Sequence, residues 1–115
     1  MAIDERLREL ATGKHFAALT TLFPDGRPQT QVVWVDADDE HVLVNTEVHR
    51  PKFKNVSNDP RVAVMIWDRD DPYRFVEVRG RVVDTVGGAE ALEHIHACSR
   101  RYRGADYDEA NIASE

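Results

Sequence analysis

Residues 16–36 alternate with a period of two around Phe23-Pro24-Asp25-Gly26-Arg27, and no other stretch constrains the fold as strongly. Phe16, Ala18, Thr20 and Leu22 fall on one face of a strand, with Ala17, Leu19 and Thr21 on the other. Thr30, Val32 and Trp34 share one face of the return strand, and Gln31, Val33 and Val35 the opposite face. Pro at an early turn position, followed by Asp-Gly where positive φ is wanted, joins the two strands as a hairpin. An acidic turn over 36–40 leads into residues 41–46, expected as the third strand of a meander.

Val62-Ala63-Val64-Met65-Ile66-Trp67 is apolar on both faces, which predicts a central strand. Residues 73–86 read as a long strand with Gly80 inside it, and the internal glycine predicts a bulge or bend that helps a barrel close. Helical spacing appears in three places. Ile3, Leu7, Leu10 and Ala11 recur at helical spacing, with Asp4 as the N-cap and Gly13 as the C′ residue. Pro51 suits the first turn of a short helix that puts Phe53 and Val56 inward and leaves Arg50, Lys52, Lys54 and Asn55 on the rim. Ala91, Ile95, Cys98 and Tyr102 mark the apolar stripe of a helix over 89–103, ended by Gly104. The fold class is mainly β with flanking helices, arranged as a small antiparallel barrel.

A length of 115 residues suggests one domain, placed at residues 1–104, with residues 105–115 an acidic tail expected to be poorly ordered. With 15 basic against 21 acidic residues, net −6, the chain as a whole is not expected to bind nucleic acid or an anionic membrane. The start of the chain has no apolar h-region, and no apolar run approaches membrane-spanning length. Cys98 is the single cysteine, so an intrachain disulfide is excluded. A soluble, cytoplasmic protein is expected.

In so acidic a chain the basic stretch around Arg50-Pro51-Lys52-Phe53-Lys54-Asn55 stands out. By itself it reads either as a solvated basic turn or as an anion held where a strand meets a helix, since helix N–H groups and Arg or Lys side chains favour phosphate there. His94-x-His96-x-Cys98 has the residue types of a metal set. Positions two apart on a helix face different sides, so only His94 and Cys98 share one, and Cys98 belongs to the apolar stripe. It reads as a core cysteine, and no metal is expected. No Gly-x-Ser-x-Gly element or Gly-rich phosphate loop is present. Trp34, Trp67, Tyr73 and Phe75 read as core packing or as a wall for a planar ring.

Five segments in order carry a family resemblance: Leu22-Phe23-Pro24-Asp25-Gly26-Arg27-Pro28-Gln29, Val44-Asn45-Thr46, Arg50-Pro51-Lys52-Phe53-Lys54-Asn55-Val56, Asp59-Pro60-Arg61-Val62, and Asp70-Asp71-Pro72-Tyr73-Arg74-Phe75-Val76-Glu77-Val78-Arg79-Gly80. Together they resemble the pyridoxamine 5′-phosphate oxidase-like split barrels, and more narrowly the actinobacterial branch that uses the deazaflavin coenzyme F-420. The resemblance implies a homodimer of six-stranded split barrels with flavin-type sites at the dimer interface. It implies that Thr30, Gln31 and Val32 border the ring system and that Asn45 and Thr46 touch the ring or the ribityl chain. It also implies that Arg50 and Lys52 hold the phosphate, and that Tyr73 and Arg74 approach from a strand edge, often from the other subunit. The implied activity is a reductase that transfers a hydride from reduced F-420 to a planar, conjugated small molecule; no protein acid is named, the proton coming from solvent or, where geometry allows, from Arg74 or His49. The same phosphate site suits FMN, so an FMN-dependent reductase or oxidase is an alternative. A non-enzymatic carrier of flavin or tetrapyrrole is the alternative of another class.

Overall fold

The computed structural model describes residues 2–46 and 50–108. Helix α1 (Glu5–Thr12) is capped by Asp4, whose carboxylate accepts the Arg6 and Leu7 amides. It is followed by strands β1 (Phe16–Leu22) and β2 (Pro28–Val33), short strands β3 (Asp36–Ala37) and β4 (Val42–Leu43), and helix α2 (Pro51–Asn58). Strands β5 (Arg61–Trp67) and β6 (Phe75–Arg81) and helix α3 (Gly88–Arg103) complete it.

The hairpin forms as the turn residues dictate. Gly26 takes φ +88°, its N–H donates to the Phe23 carbonyl, and the Phe23 N–H donates to the Arg27 carbonyl. A side chain at φ > 0 is strained, so glycine is required. Gly104 ends α3 for the same reason, at φ +78° with its N–H on the Arg100 carbonyl.

A four-stranded antiparallel sheet has the order β2-β1-β5-β6, and β3 pairs only with β4 in a separate ribbon. β5 is central, as its two apolar faces predict. The inner face carries Ala17 and Leu19 of β1, Val33 of β2, Val64 and Ile66 of β5, and Val76 and Val78 of β6. Leu7, Leu10 and Ala11 of α1 close over it, with Ala37, Val42 and Val44 at the ribbon end. Burial of this contiguous apolar cluster holds the sheet, helix and ribbon together.

Three expectations change. Residues 41–46 do not extend the meander: β4 covers only Val42–Leu43 and pairs with β3, because the chain leaves β2 at Trp34 and turns tightly at Asp38. The Asp38 carboxylate accepts the Glu40 and His41 amides there, and these donors lower its pKa. Gly80 makes no bulge: it sits opposite Val62 in an unbroken register from Arg61↔Arg81 to Trp67↔Phe75. The long strand also stops at Arg81, after which the Val82 N–H still reaches the Pro60 carbonyl. No strand follows α3 among the described residues. The tail expectation for residues 109–115 and the proton-source expectation for His49 lie outside the described residues.

Among the described residues, none covers the outer face of the sheet. Val32 is 66 % exposed, Phe75 54 %, Met65 40 % and Phe16 36 %. Strand register aligns Val32, Ala18 and Met65 across three strands, and Phe16, Trp67 and Phe75 beside them.

Candidate functional site

Arg50 is the N-cap of α2, with extended backbone, and its carbonyl accepts the Phe53 and Lys54 amides. Pro51 opens the helix, and the N-cap residue itself makes no side-chain capping hydrogen bond. The positive end of the helix dipole therefore coincides with Arg50, Lys52 and Lys54, a combination that favours an anion. Asn55, expected on the rim, is instead buried. Its Nδ2 donates to Thr21 Oγ1 at 3.0 Å, and the Thr21 hydroxyl reaches Gln29 Oε1 at 3.5 Å. This buried polar chain runs from α2 through β1 to β2 and fixes the basic helix against the end of the hairpin. A polar residue at helix spacing gave no hint of it, because its partner lies 34 residues away.

β2 is an edge strand, and its three candidate residues alternate as the period of two requires. Thr30 and Val32 face outward, Thr30 sharing a hydrogen bond of 2.8 Å with the Thr20 hydroxyl. Gln31 points the other way, and its Oε1 is buried with no hydrogen-bond partner. Asn45 and Thr46, half-buried, follow β4.

Tyr73 and Arg74 lie elsewhere. They form the turn between β5 and β6, beside Phe16, whereas α2 is fixed at Thr21. Five residues of β1 separate these ends by about 17 Å. Tyr73 is 91 % exposed. Arg74 is held by Asp68 Oδ2 at 3.0 Å and Glu9 Oε1 at 2.7 Å. The aromatic set divides as well: Trp34 stacks on Tyr102 of α3 at 5.3 Å, while Trp67 lies against Phe16 at 6.3 Å.

A second polar cluster joins α3 to the ribbon. Asp36 Oδ2 lies 3.0 Å from His94 Nε2, and Asn45 Nδ2 lies 2.9 Å from His94 Nδ1. Arg101 donates to Asp36 Oδ1 at 3.2 Å, to the Thr12 carbonyl at 2.9 Å, and to the Val35 carbonyl. Cys98 is buried beside His94, and burial pushes its thiol up to about 11. His96 faces another way, its Nδ1 accepting the Tyr107 amide at 3.1 Å. Asp36 and Arg101 escaped the sequence reading: Asp36 looked like a solvated hairpin end, and nothing local reveals partners 58 and 65 residues away.

These groups fit a flat, phosphate-bearing cofactor in kind. α2 offers cations and a helix start to a phosphate. β2 offers an outward apolar side chain, Val32, and a hydroxyl, Thr30, while Gln31 lies on the opposite face.

A family model described as pyridoxamine 5′-phosphate oxidase matches residues 3–113. The fold is similar to that of an F-420 reductase, with 30% identity and a TM-score of 0.74 over 92% of this chain and 82% of that one. It is also similar to a conserved hypothetical protein from Mycobacterium tuberculosis, with 26% identity and a TM-score of 0.72 over 96% of this chain and 71% of that one. The heme storage protein HutZ from Vibrio cholerae shares the fold at 15% identity and a TM-score of 0.62, over 89% of this chain and 77% of that one.

Proposed function

The chain belongs to the pyridoxamine 5′-phosphate oxidase family, and from that membership we propose that it is a cytoplasmic reductase of the F-420-dependent branch, acting on a planar, conjugated small molecule. The observation that carries this reading is the start of α2 with Arg50 and Lys52, in a chain 30% identical to an F-420 reductase. The reduced coenzyme, when bound, supplies the hydride. Arg50 and Lys52 hold its phosphate by charge-assisted hydrogen bonds. Thr30 and Val32 border the ring on the outer face of β2, Asn45 offers its amide to the polar edge, and Thr46 lies beside Asn45; Gln31, on the opposite face, takes no part through its side chain. The protein's contribution is position and exclusion of water, and the accompanying proton comes from solvent.

Tyr73 and Arg74 join this site from a second copy of the chain. The separation of about 17 Å within one protomer supports that reading, and so does the bare apolar face of Val32, Met65 and Phe75. A homodimer that buries this face brings the β5–β6 turn of one protomer to the α2 end of its partner. Light scattering after gel filtration is expected to give twice the chain mass, and Met65→Glu to shift it to the monomer. A wild-type protein that stays monomeric at tens of micromolar would overturn the dimer.

Fluorescence titration with F-420 and with FMN tests the cofactor. Tighter binding of F-420, and oxidation of the reduced coenzyme by quinones or unsaturated lactones, is expected. Tighter binding of FMN would make this an FMN-dependent enzyme. Tight binding without turnover across a broad panel would favour a carrier of flavin or tetrapyrrole. Lys52→Ala is expected to weaken F-420 binding by roughly 1.5–3 kcal/mol, the loss of one charge-assisted contact. An unchanged dissociation constant would remove the phosphate from Lys52.

A further inference from the structure

His94 and Cys98 stand one turn apart on α3, and Asp36 of β3 reaches the same point from the ribbon. His94 Nε2 lies 3.0 Å from Asp36 Oδ2 and 3.8 Å from Cys98 Sγ. One ligand atom from each residue lies within 4.8 Å of the other two, the one such meeting of three His, Cys, Asp or Glu side chains among the described residues. Tetrahedral zinc, with bonds of about 2.0–2.3 Å, separates its ligand atoms by roughly 3.3–3.6 Å. The His94–Asp36 and His94–Cys98 distances bracket that spacing, and no pair of the three atoms exceeds 4.8 Å.

The hydrogen bonding around His94 gives a second, independent indication. Asn45 presents its nitrogen to Nδ1, while its Oδ1 is buried without a partner. The two ends of a carboxamide are assigned by the network they make. Turning the amide over gives Oδ1 the Nδ1–H of the ring and places Nδ2 where Oδ1 stood. The Nε2 lone pair then faces Asp36, while Cys98 Sγ lies beside the ring, 3.8 Å from Nε2 and 4.0 Å from Nδ1. A lone pair aimed at a carboxylate is repulsive unless a cation lies between them, and that cation is either a proton on the ring or a metal ion. An acceptor on the far nitrogen is also the outer partner that metal-bound histidines use to fix tautomer and orientation.

Asp36 and a Cys98 thiolate supply two negative charges to a divalent ion, the thiol proton leaving to solvent as the metal binds, and Arg101 beside Asp36 adds one positive charge. Arg101 at 3.2 Å holds the other carboxylate oxygen, Oδ1, and leaves Oδ2 to the metal.

We propose that Asp36, His94 and Cys98 bind a zinc ion, which ties α3 to the β3–β4 ribbon. The ligand set is one thiolate, one imidazole and one carboxylate, with water in the fourth position. It suits zinc over magnesium or calcium, which take oxygen ligands. The three ligands are separate from the proposed coenzyme phosphate site, and Asn45, which the proposed function places near the ring, is the one residue the two readings share.

Cobalt(II) is the spectroscopic probe, added to the full chain after treatment with a chelator. Because Cys98 is the single cysteine, any thiolate-to-cobalt charge-transfer band in the near ultraviolet reports this site. The expected result is that band, with visible transitions of tetrahedral intensity, bleached by one equivalent of zinc. Saturating zinc is expected to raise Tm by several degrees. His94→Ala and Asp36→Asn are each expected to weaken cobalt binding at least tenfold, and Cys98→Ser to abolish the near-ultraviolet band. The wild-type spectrum needs no variant to fold. Visible bands without the thiolate band would mean adventitious surface histidines, and that result, or no spectrum at all, overturns the proposal.

Discussion

Ile66→Ala is expected to cost about 3–4 kcal/mol in urea denaturation at fixed protein concentration, lowering Tm by roughly 15 °C. Ile66 is 0 % exposed and sits mid-strand in β5, opposite Ala17 of β1 and Val76 of β6. Leu7, Leu10 and Ala11 of α1 belong to the same cluster. Both neighbouring strands are held in register by backbone ladders, so they cannot collapse into the space that alanine leaves. The penalty is therefore the lost transfer energy plus most of the cavity cost. Ile66→Val removes one methylene and is expected to cost about 1 kcal/mol. A loss below about 1 kcal/mol for Ile66→Ala would show that the inner face is not the packed core described above.

Arg101→Ala is expected to cost about 3 kcal/mol, and Arg101→Lys to recover less than half of that. The guanidinium bonds the Val35 and Thr12 carbonyls and the Asp36 carboxylate, which joins the α1–β1 link, the β2–β3 junction and α3. Both charged side chains are about three-quarters buried, so removing one leaves the other under-compensated. A lysine supplies one point charge where a planar fork serves several acceptors at once. Urea denaturation followed by circular dichroism measures both variants. Equal stability of Arg101→Ala and wild type would mean that the other contacts of α3, His94 with Asp36 and Asn45 and Tyr102 with Trp34, hold it without Arg101. Arg103, exposed on the same helix, is the natural control.

These two positions differ in how far they can be read from the chain. Ile66 lies in the run Val62-Ala63-Val64-Met65-Ile66-Trp67, and a run of that composition announces a central strand. What the run does not announce is that the described residues of the protomer cover only one of its faces. Val64 and Ile66 meet α1, while Met65 faces outward. An apolar face looks the same in sequence whether it meets the chain's own helix or a second molecule. Arg101 is less legible still: its partners lie 65 to 90 residues away, and no local periodicity encodes a long-range carbonyl contact. The basic start of α2 was visible because its elements are local: a proline at the first turn and three cations within five residues. Asn55 was misplaced because a polar side chain on a short helix defaults to solvent unless a buried acceptor such as Thr21 waits for it.

The sequence by itself determined the hairpin at Gly26, the three helices, the central place of β5 and the family. All of these rest on interactions between neighbours along the chain or on motifs in fixed order. Only the tertiary structure decided three other matters. β3 and β4 separate into a ribbon. Tyr73 and Arg74 sit at the opposite end of the sheet from α2. Asp36 joins His94 and Cys98, although the histidine and cysteine alone had read as a core thiol beside a surface ring. The physical reason is common to the three. Each depends on where segments tens of residues apart come to rest, which follows from packing the whole apolar face and not from any local preference.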